Sequence, residues 1–350
     1  MAGNSFGKAF RVTTFGESHG EGCGAVIDGC PSRISLSAED FVRDMGRRSP
    51  GRHSFGTPRR EEDHVEILSG LFEGRTTGAP ITLFIRNRDA DSRPYEVLRQ
   101  LFRPGHADYT YFKKYGHFDF RGGGRYSARE TAARVAAGVV AGKILTPLGI
   151  KVAAYAIELG GIRAGSIDMQ FIEKSPLCCP DPVASEGMEK AIAKAREERD
   201  SLGGVAEVRV TGCPAGLGEP VFDKLDAELA KAVMSIGTVK GVEIGAGFGA
   251  ARLKGSENND PLTTDGFHSN RAGGILGGIS NGDEIVLRAA MKPIPSIGKE
   301  QDTVDREGRA AKLKFSGRFD VAAIPRVIPV LEAMVRIVLA DHYLRSRAMR

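Results

Sequence analysis

Hydrophobic and polar positions alternate in two short segments near the start of the chain, Phe10 to Thr14 and Gly24 to Asp28. Both read as strands flanking a polar loop, residues 15 to 22, that carries Gly16-Glu-Ser-His-Gly20. Ser37, with Asp40 three residues on, opens a helix toward Met45. That helix stops in the Arg-, Gly-, Ser- and Pro-rich stretch Arg47 to Arg60, which is expected to be mobile or ordered by a ligand. Strand-like segments from Val65 to Arg86 are broken by Gly70, Gly74 and Gly78, and a polar loop then runs into Arg103-Pro-Gly-His106. The clearest helix begins at Ser127, because Ser127-Ala-Arg-Glu130 is a capping-box pattern before an Ala- and Val-rich run that reaches Leu145 and ends at Pro147. A strand from Val152 to Leu159, a helix from Met188 to Arg199, a strand from Val205 to Val210 and a helix from Asp223 to Met234 follow. Glycine-rich polar sequence fills 241 to 282, a β segment spans Glu284 to Lys292, and an amphipathic helix covers Val330 to Arg345. This mixture predicts packed α and β layers. With no internal repeat, low-complexity linker or abrupt shift of composition, residues 1–350 are expected to form one catalytic domain.

Composition narrows the class. No apolar run approaches the ~20 residues that a spanning helix needs, and the first eleven residues lack the pattern of a secretory signal, so a cytoplasmic protein is expected. Five cysteines (Cys23, Cys30, Cys178, Cys179 and Cys213) show no CxxC or metal-finger spacing and are expected to be reduced, with no metal site. Glycine is the outlier at 45 residues of 350, roughly twice the usual share. The net charge of +5 and pI near 8.9 suit small anionic substrates as well as nucleic acid. The aromatics, however, are not interleaved with a basic stripe, and nucleic-acid binding is disfavoured.

Arg121-Gly-Gly-Gly-Arg125-Tyr-Ser127 runs straight into the capped helix. Its glycines permit close backbone approach to a ligand, and with Arg121, Arg125 and Arg129 around a helix start it reads as an anion site. It is not a phosphate-binding P-loop, since GxxxxGK[ST] is absent, and the run 272 to 278 does not match GxGxxG; a nucleotide kinase or Rossmann dehydrogenase is disfavoured. His19 beside Glu17 and Ser18, and His106 beside Arg103 and Asp108, sit in sharp loops where either could donate a proton, although a loop histidine needs no such role. A serine hydrolase is a poor fit without a GxSxG elbow. Arginines recur beside glycine or proline, at 48, 52, 59, 60, 103, 125, 129, 318 and 326. Convergent guanidinium forks suit a small ligand with several negative groups, whereas many could equally be surface charges. A phosphate-binding transferase without flavin is the other enzyme class that the anion loop would permit.

Residues 15–20 (FGESHG), 103–108 (RPGHAD), 122–131 (GGGRYSARET) and 317–320 (GRFD), in this order, resemble the signatures of the chorismate synthase family. The likeness extends over nearly the whole chain through 214–220, 239–245 and 269–278. Departures are Tyr126, Gly237, Ser54 and Phe319, where the family often has serine, asparagine, arginine and histidine. The resemblance implies an α+β sandwich with helices between antiparallel sheets, usually assembled as a homotetramer. It implies conversion of 5-enolpyruvylshikimate 3-phosphate to chorismate by 1,4-anti elimination of phosphate, the last common step of the shikimate pathway to aromatic amino acids. Reduced FMN is needed without net redox change, and NADPH or a separate flavin reductase enters only as a source of reducing equivalents. Carried over motif by motif, His19 would protonate the departing phosphate, and His106 would protonate or stabilise the reduced flavin. Asp320 would help the flavin accept the substrate proton. Ser18, Arg48, Arg103, Arg129 and Arg318 would bind substrate. Arg125, Tyr126, Ser127, Gly237, Thr238, Gly277, Lys292, Pro293, Ile294, Pro295, Ser296 and Arg318 would hold the cofactor, and Arg48 and Ser54 would meet NADP.

Overall fold

The computed structural model describes residues 3–49, 62–315, 317 and 320–349. Ser54, Arg318, Phe319 and most of the stretch Arg47 to Arg60 lie outside the described residues.

Two five-stranded antiparallel sheets enclose a double layer of helices. The first sheet is ordered Ser5–Phe6, Arg11–Gly16, Gly22–Asp28, Ile81–Arg86 and Glu66–Ile67. The second is ordered Val239–Ile244, Ile285–Met291, Gly204–Thr211, Lys151–Leu159 and Ile162–Arg163. Period-2 patterning explains their inner faces: Ile81, Leu83 and Ile85 are fully buried, while Thr82 and Phe84 between them are half-exposed.

Seven α-helices are formed by the described residues: α1 Glu39–Arg48, α2 Asp108–Tyr115, α3 Thr131–Leu145, α4 Pro182–Glu197, α5 Leu225–Met234, the single turn α6 Gly255–Asn258, and α7 Ile324–Ala348. α3 lies on the first sheet and α7 on the second, and the two helices pack on each other, flanked by α1 and α5. The layers therefore run sheet, helix, helix, sheet, as the family resemblance implied. α3 can occupy the middle because it is apolar around its whole circumference. Its alanines and Gly138 let α7 come close: a Cβ on Gly138 would lie 2.4 Å from that of Ala333. Among the described residues no helix is long and apolar enough to cross a membrane, and no cluster of His, Cys, Asp or Glu has the makings of a metal site.

Several boundaries differ from expectation for identifiable reasons. α4 starts at Pro182, not Met188, because the Asp181 carboxylate caps the Val183 and Ala184 N–H groups and proline fits the first turn. α7 starts at Ile324 and runs through Pro329, so the prolines that hid its first turns do not break it. The Ser127 hydroxyl does accept from the Arg129 N–H, but a 3₁₀ turn, Ala128–Glu130, precedes α3, and Glu130 pairs forward with Arg134 instead of closing the box. Val239–Ile244 is a strand inside sequence read as largely irregular, with a register shift at Gly241. Near the end of α7, one oxygen of Asp341 accepts from the N–H groups of Lys8, Ala9 and Phe10 at 2.8, 2.6 and 2.8 Å, tying the last helix to the entry of the first sheet.

Candidate active site

Three polar clusters meet around the glycine run. Gly122, Gly123 and Gly124 all have positive φ, near 58°, 82° and 50°, a conformation that a side chain would strain. A Cβ on Gly122 would sit 2.3 Å from His19 Nε2 and 2.9 Å from Ser18 Oγ, and one on Gly123 would face the Arg103 guanidinium and the Tyr126 ring. The Ser18 N–H also donates to the Gly124 carbonyl. The glycines thus form a thin wall with one histidine loop on each side.

On one side, His19 Nδ1 lies 2.8 Å from the Ser92 hydroxyl, and its ring meets Tyr95 edge-on at 5.2 Å. On the other, the buried Arg103 grips Asp108 with two side-chain bonds of 2.9 and 2.8 Å. Tyr126 also donates to Asp108, at 2.8 Å, and Arg103 reaches the Ser296 hydroxyl at 3.3 Å. Burial pushes the Tyr126 phenol up, and Asp108 adds to this, so the tyrosine stays a neutral donor. His106 Nδ1 accepts from the Ala107 N–H at 2.9 Å and from Arg103 at 3.3 Å. Two donors on Nδ1 place the ring proton on Nε2. Burial, then the Arg103 charge, lowers the His106 pKa from 6.5 to about 3. His106 is therefore a neutral hydrogen-bond donor here, not a cation.

Arg48 and Arg129 share Asp63. Arg48 donates to Asp63 at 2.7 Å, to Thr131 and to the Ala128 carbonyl. Arg129 donates to the other Asp63 oxygen, to Asn87 at 2.8 Å and to the Arg86 carbonyl. Burial alone would raise the Asp63 carboxyl, but the two guanidinium groups overcome it and hold the pKa at about 2. Burial brings Arg48 down to about 10. Asn87 then links this cluster to the first, its amide nitrogen donating to the carbonyls of Glu17 and Gly20 on either side of His19. Asp320 is paired with Arg326, which also reaches the Arg48 carbonyl.

Of the residues expected at a cofactor, Lys292 lies beside Thr238, whose carbonyl accepts its N–H, and its ammonium reaches the Gly105 carbonyl; Pro295 also stands against Gly105. Arg125 bonds Thr14 and Asn4. Ser127 caps the turn before α3, and Gly237 adjoins Thr238. Gly277 is elsewhere. It lies in the turn of a small hairpin, Ile275–Leu276 with Ile279–Ser280, beside the start of α5 and of strand Ile285–Met291. Lys292 follows the far end of that 7-residue strand, about 20 Å away.

A family profile described as chorismate synthase matches residues 10–344. A chorismate synthase of Syntrophus aciditrophicus is 60% identical, with 100% of this chain and 99% of that protein covered. Those of Desulfatibacillum aliphaticivorans and Chloroflexus aurantiacus are 58% and 52% identical, each over 100% of this chain and 98% of the relative. The chain belongs to the chorismate synthase family. A solved chorismate synthase structure superposes with a TM-score of 0.77 at 35% identity, covering 97% of this chain and 93% of that one. Membership makes the chain a lyase of the shikimate pathway, in aromatic amino-acid biosynthesis.

Within that chorismate synthase framework, the described members of the expected substrate set are each tied into one of the three clusters. The arginines already hold carboxylates: Arg48, Arg103 and Arg129 are only 1%, 6% and 4% exposed. Asp63, Asn87, Ser92 and Tyr95 were missed by sequence reasoning. Their roles come from contacts across 66, 42 and 73 residues of chain for the first three, and no local spacing signals them.

The His106 geometry gives a pH expectation. With a folded pKa near 3 against 6.5 when unfolded, the unfolded chain takes up this proton first as pH falls. The contribution to stability is therefore whole above about 6.5 and eroded as pH drops toward 3. NMR of labelled imidazoles in the ligand-free protein is expected to show His106 neutral, with its proton on Nε2, throughout pH 5 to 8. A midpoint near 6.5 would overturn this.

Proposed function

We propose that the chain eliminates phosphate from 5-enolpyruvylshikimate 3-phosphate to give chorismate, in a single catalytic domain acting in the cytoplasm with reduced FMN. The observation that carries the reading is the glycine wall with His19 and Ser18 on one side and Arg103, His106 and Tyr126 on the other. This arrangement suits a substrate with a phosphate and two carboxylates beside an aromatic cofactor.

Family membership supports the flavin, and the residues present fit it. Among the described residues, Arg125 Nη1 and Thr238 Oγ1 are buried polar atoms without a hydrogen-bond partner, the kind of unmet donor that a phosphate or ring carbonyl would satisfy. Arg125, Tyr126, Ser127, Thr238 and the segment 292 to 296 would hold the cofactor from this copy. Gly237, next to Thr238, would belong to the same copy's site, and Gly277, about a strand's length away, would serve the site of a neighbouring copy in a homotetramer. When bound, reduced FMN supplies electron density that assists the elimination and is recovered unchanged.

The chain's own residues do the remaining work. Arg48, Arg103 and Arg129 orient the anionic groups. They are held in place by Asp63 and Asp108, so little side-chain entropy remains to be lost on binding. His19, with Nδ1 engaged by Ser92, delivers a proton from Nε2 to the leaving phosphate. His106 presents its Nε2–H as a neutral donor. Asp320, oriented by Arg326, stands as the carboxylate on the side of proton removal.

The test is anaerobic phosphate release with reduced FMN supplied chemically, so that no reductase is needed. Release should depend on the reduced flavin and not consume it stoichiometrically. Equal turnover without flavin would overturn the flavin requirement.

A further inference from the structure

A cleft of about 560 Å³ adjoins the proposed site, walled on its inner side by Ser296, Phe315 and Asp320 and on its outer side by Arg196, Arg199 and Lys314. The inner wall touches the substrate machinery directly. Ser296 accepts from Arg103, and the Phe315 ring stands 5.4 Å from the Arg103 guanidinium carbon. The outer wall is cationic: among the described residues, the side chains of Arg196, Arg199 and Lys314 make no hydrogen bond or ion pair, and Glu300, opposite Lys314 in the hairpin, is paired with Lys312. The two carboxylates on the lining are already matched, Asp200 by Lys299 at 2.6 Å and Asp320 by Arg326. Among the described residues, the cleft thus presents three cationic side chains that no carboxylate binds directly.

Two of these cations stand where α4 ends, and arginine there complements the helix dipole. That accounts for Arg196 and Arg199 as surface charges but not for Lys314, which comes from the hairpin Glu300–Val304 with Ala310–Lys314 and faces the same space. Arg199 closes α4 in a Schellman motif, with φ at 56° and the N–H groups of Arg199 and Asp200 donating to the Arg196 and Ala195 carbonyls. Its carbonyl accepts from the Gly298 N–H at 3.1 Å, and the start of its side chain lies over Gly298, where a Cβ would come within 3.0 Å. The arginine is therefore aimed along the cleft wall by a fixed loop.

We propose that this cleft is a phosphate-binding antechamber, in which Arg196, Arg199 and Lys314 hold the phosphate group of a ligand moving to or from Arg103. The chemistry recognised is a dianionic phosphate, from either the incoming phosphate monoester or the orthophosphate released. The assignment rests on the proposed reaction only for the origin of that phosphate.

Binding without turnover tests it. Orthophosphate titrated into the flavin-free protein, followed by ³¹P line broadening, should bind the unaltered chain. The triple variant Arg196→Ala, Arg199→Ala, Lys314→Ala should bind it about tenfold more weakly or worse, the loss of about 1.4 kcal/mol, with circular dichroism unchanged. The conservative variant Arg196→Lys, Arg199→Lys should keep most of the affinity. A parallel titration with 5-enolpyruvylshikimate 3-phosphate separates the sources: weakening of both ligands marks an entry route, and weakening of orthophosphate alone marks an exit route. Equal orthophosphate affinity in the unaltered chain and the triple variant would overturn the proposal, as would no binding by the unaltered chain. Because no turnover is involved, absence of lyase activity would leave these readings intact and count only against the proposed reaction.

Discussion

Asp63→Asn should destabilise the folded chain by about 3 kcal/mol or more, visible as a lower urea midpoint with an unchanged slope. The carboxylate is fully buried between Arg48 and Arg129, whose side chains are 2% and 3% exposed. An asparagine oxygen could still accept one hydrogen bond, but two buried guanidinium charges would face each other without a counterion. Removing one member of a buried pair costs more than the pair itself contributes, because the orphaned charge stays desolvated. The same variant also reports on function. If Arg48 and Arg129 meet the substrate's negative groups, adding substrate should restore more stability to Asp63→Asn than to the unaltered chain. A midpoint within experimental scatter of the parent would mean that the two arginines do not depend on Asp63.

His19→Ala should slow phosphate release in a single turnover by roughly a hundredfold or more, since general acid catalysis is commonly worth that much, while reduced FMN and substrate still bind. The ring is fixed by the Ser92 hydroxyl and by the edge of Tyr95, and it sits against the one segment whose glycines permit so close an approach. Ser92→Ala should give a smaller loss together with a displaced pH–rate profile, because it alters the ring's tautomer and aim and leaves the acid in place. Rapid release by His19→Ala with substrate bound normally would remove His19 from the chemistry.

The parts of the fold legible in the sequence were those where a local pattern and the tertiary environment agree. α3 is signalled by Ser127 and by an apolar run because it truly is buried on all sides, and the strand Lys151–Leu159 fell within one residue of its reading. α7 was cut short because proline is ordinarily a helix breaker, yet Pro325 sits in the first turn, where no N–H is missed, and packing on α3 carries the helix past Pro329. The start of α4 is encoded in Asp181-Pro182, a capping carboxylate followed by a first-turn proline, ahead of the apolar pattern that begins at Met188. At the site, the histidine and glycine loops could be found because their residue types are unusual in sequence. Asp63 and Asn87 look like any surface polar residue there. Only the fold shows that each answers a buried arginine, and a propensity argument assigns nothing of that kind.

The anchoring of residues 8 to 10 by Asp341 bears on the order in which a ribosome delivers the parts. The strand Arg11–Gly16 and the His19 loop behind it emerge among the first residues, but the carboxylate that fixes their entry comes 331 to 333 residues later. α7, which covers both α3 and the second sheet, comes in the same late stretch. Until residues 324 to 348 have left the exit tunnel, the inner face of the second sheet and the facing side of α3 lack their cover, and residues 8 to 10 lack their anchor. A nascent chain of this sequence therefore keeps the apolar faces that α7 covers exposed until that helix is made, and such exposed surface is where an incomplete chain is prone to associate.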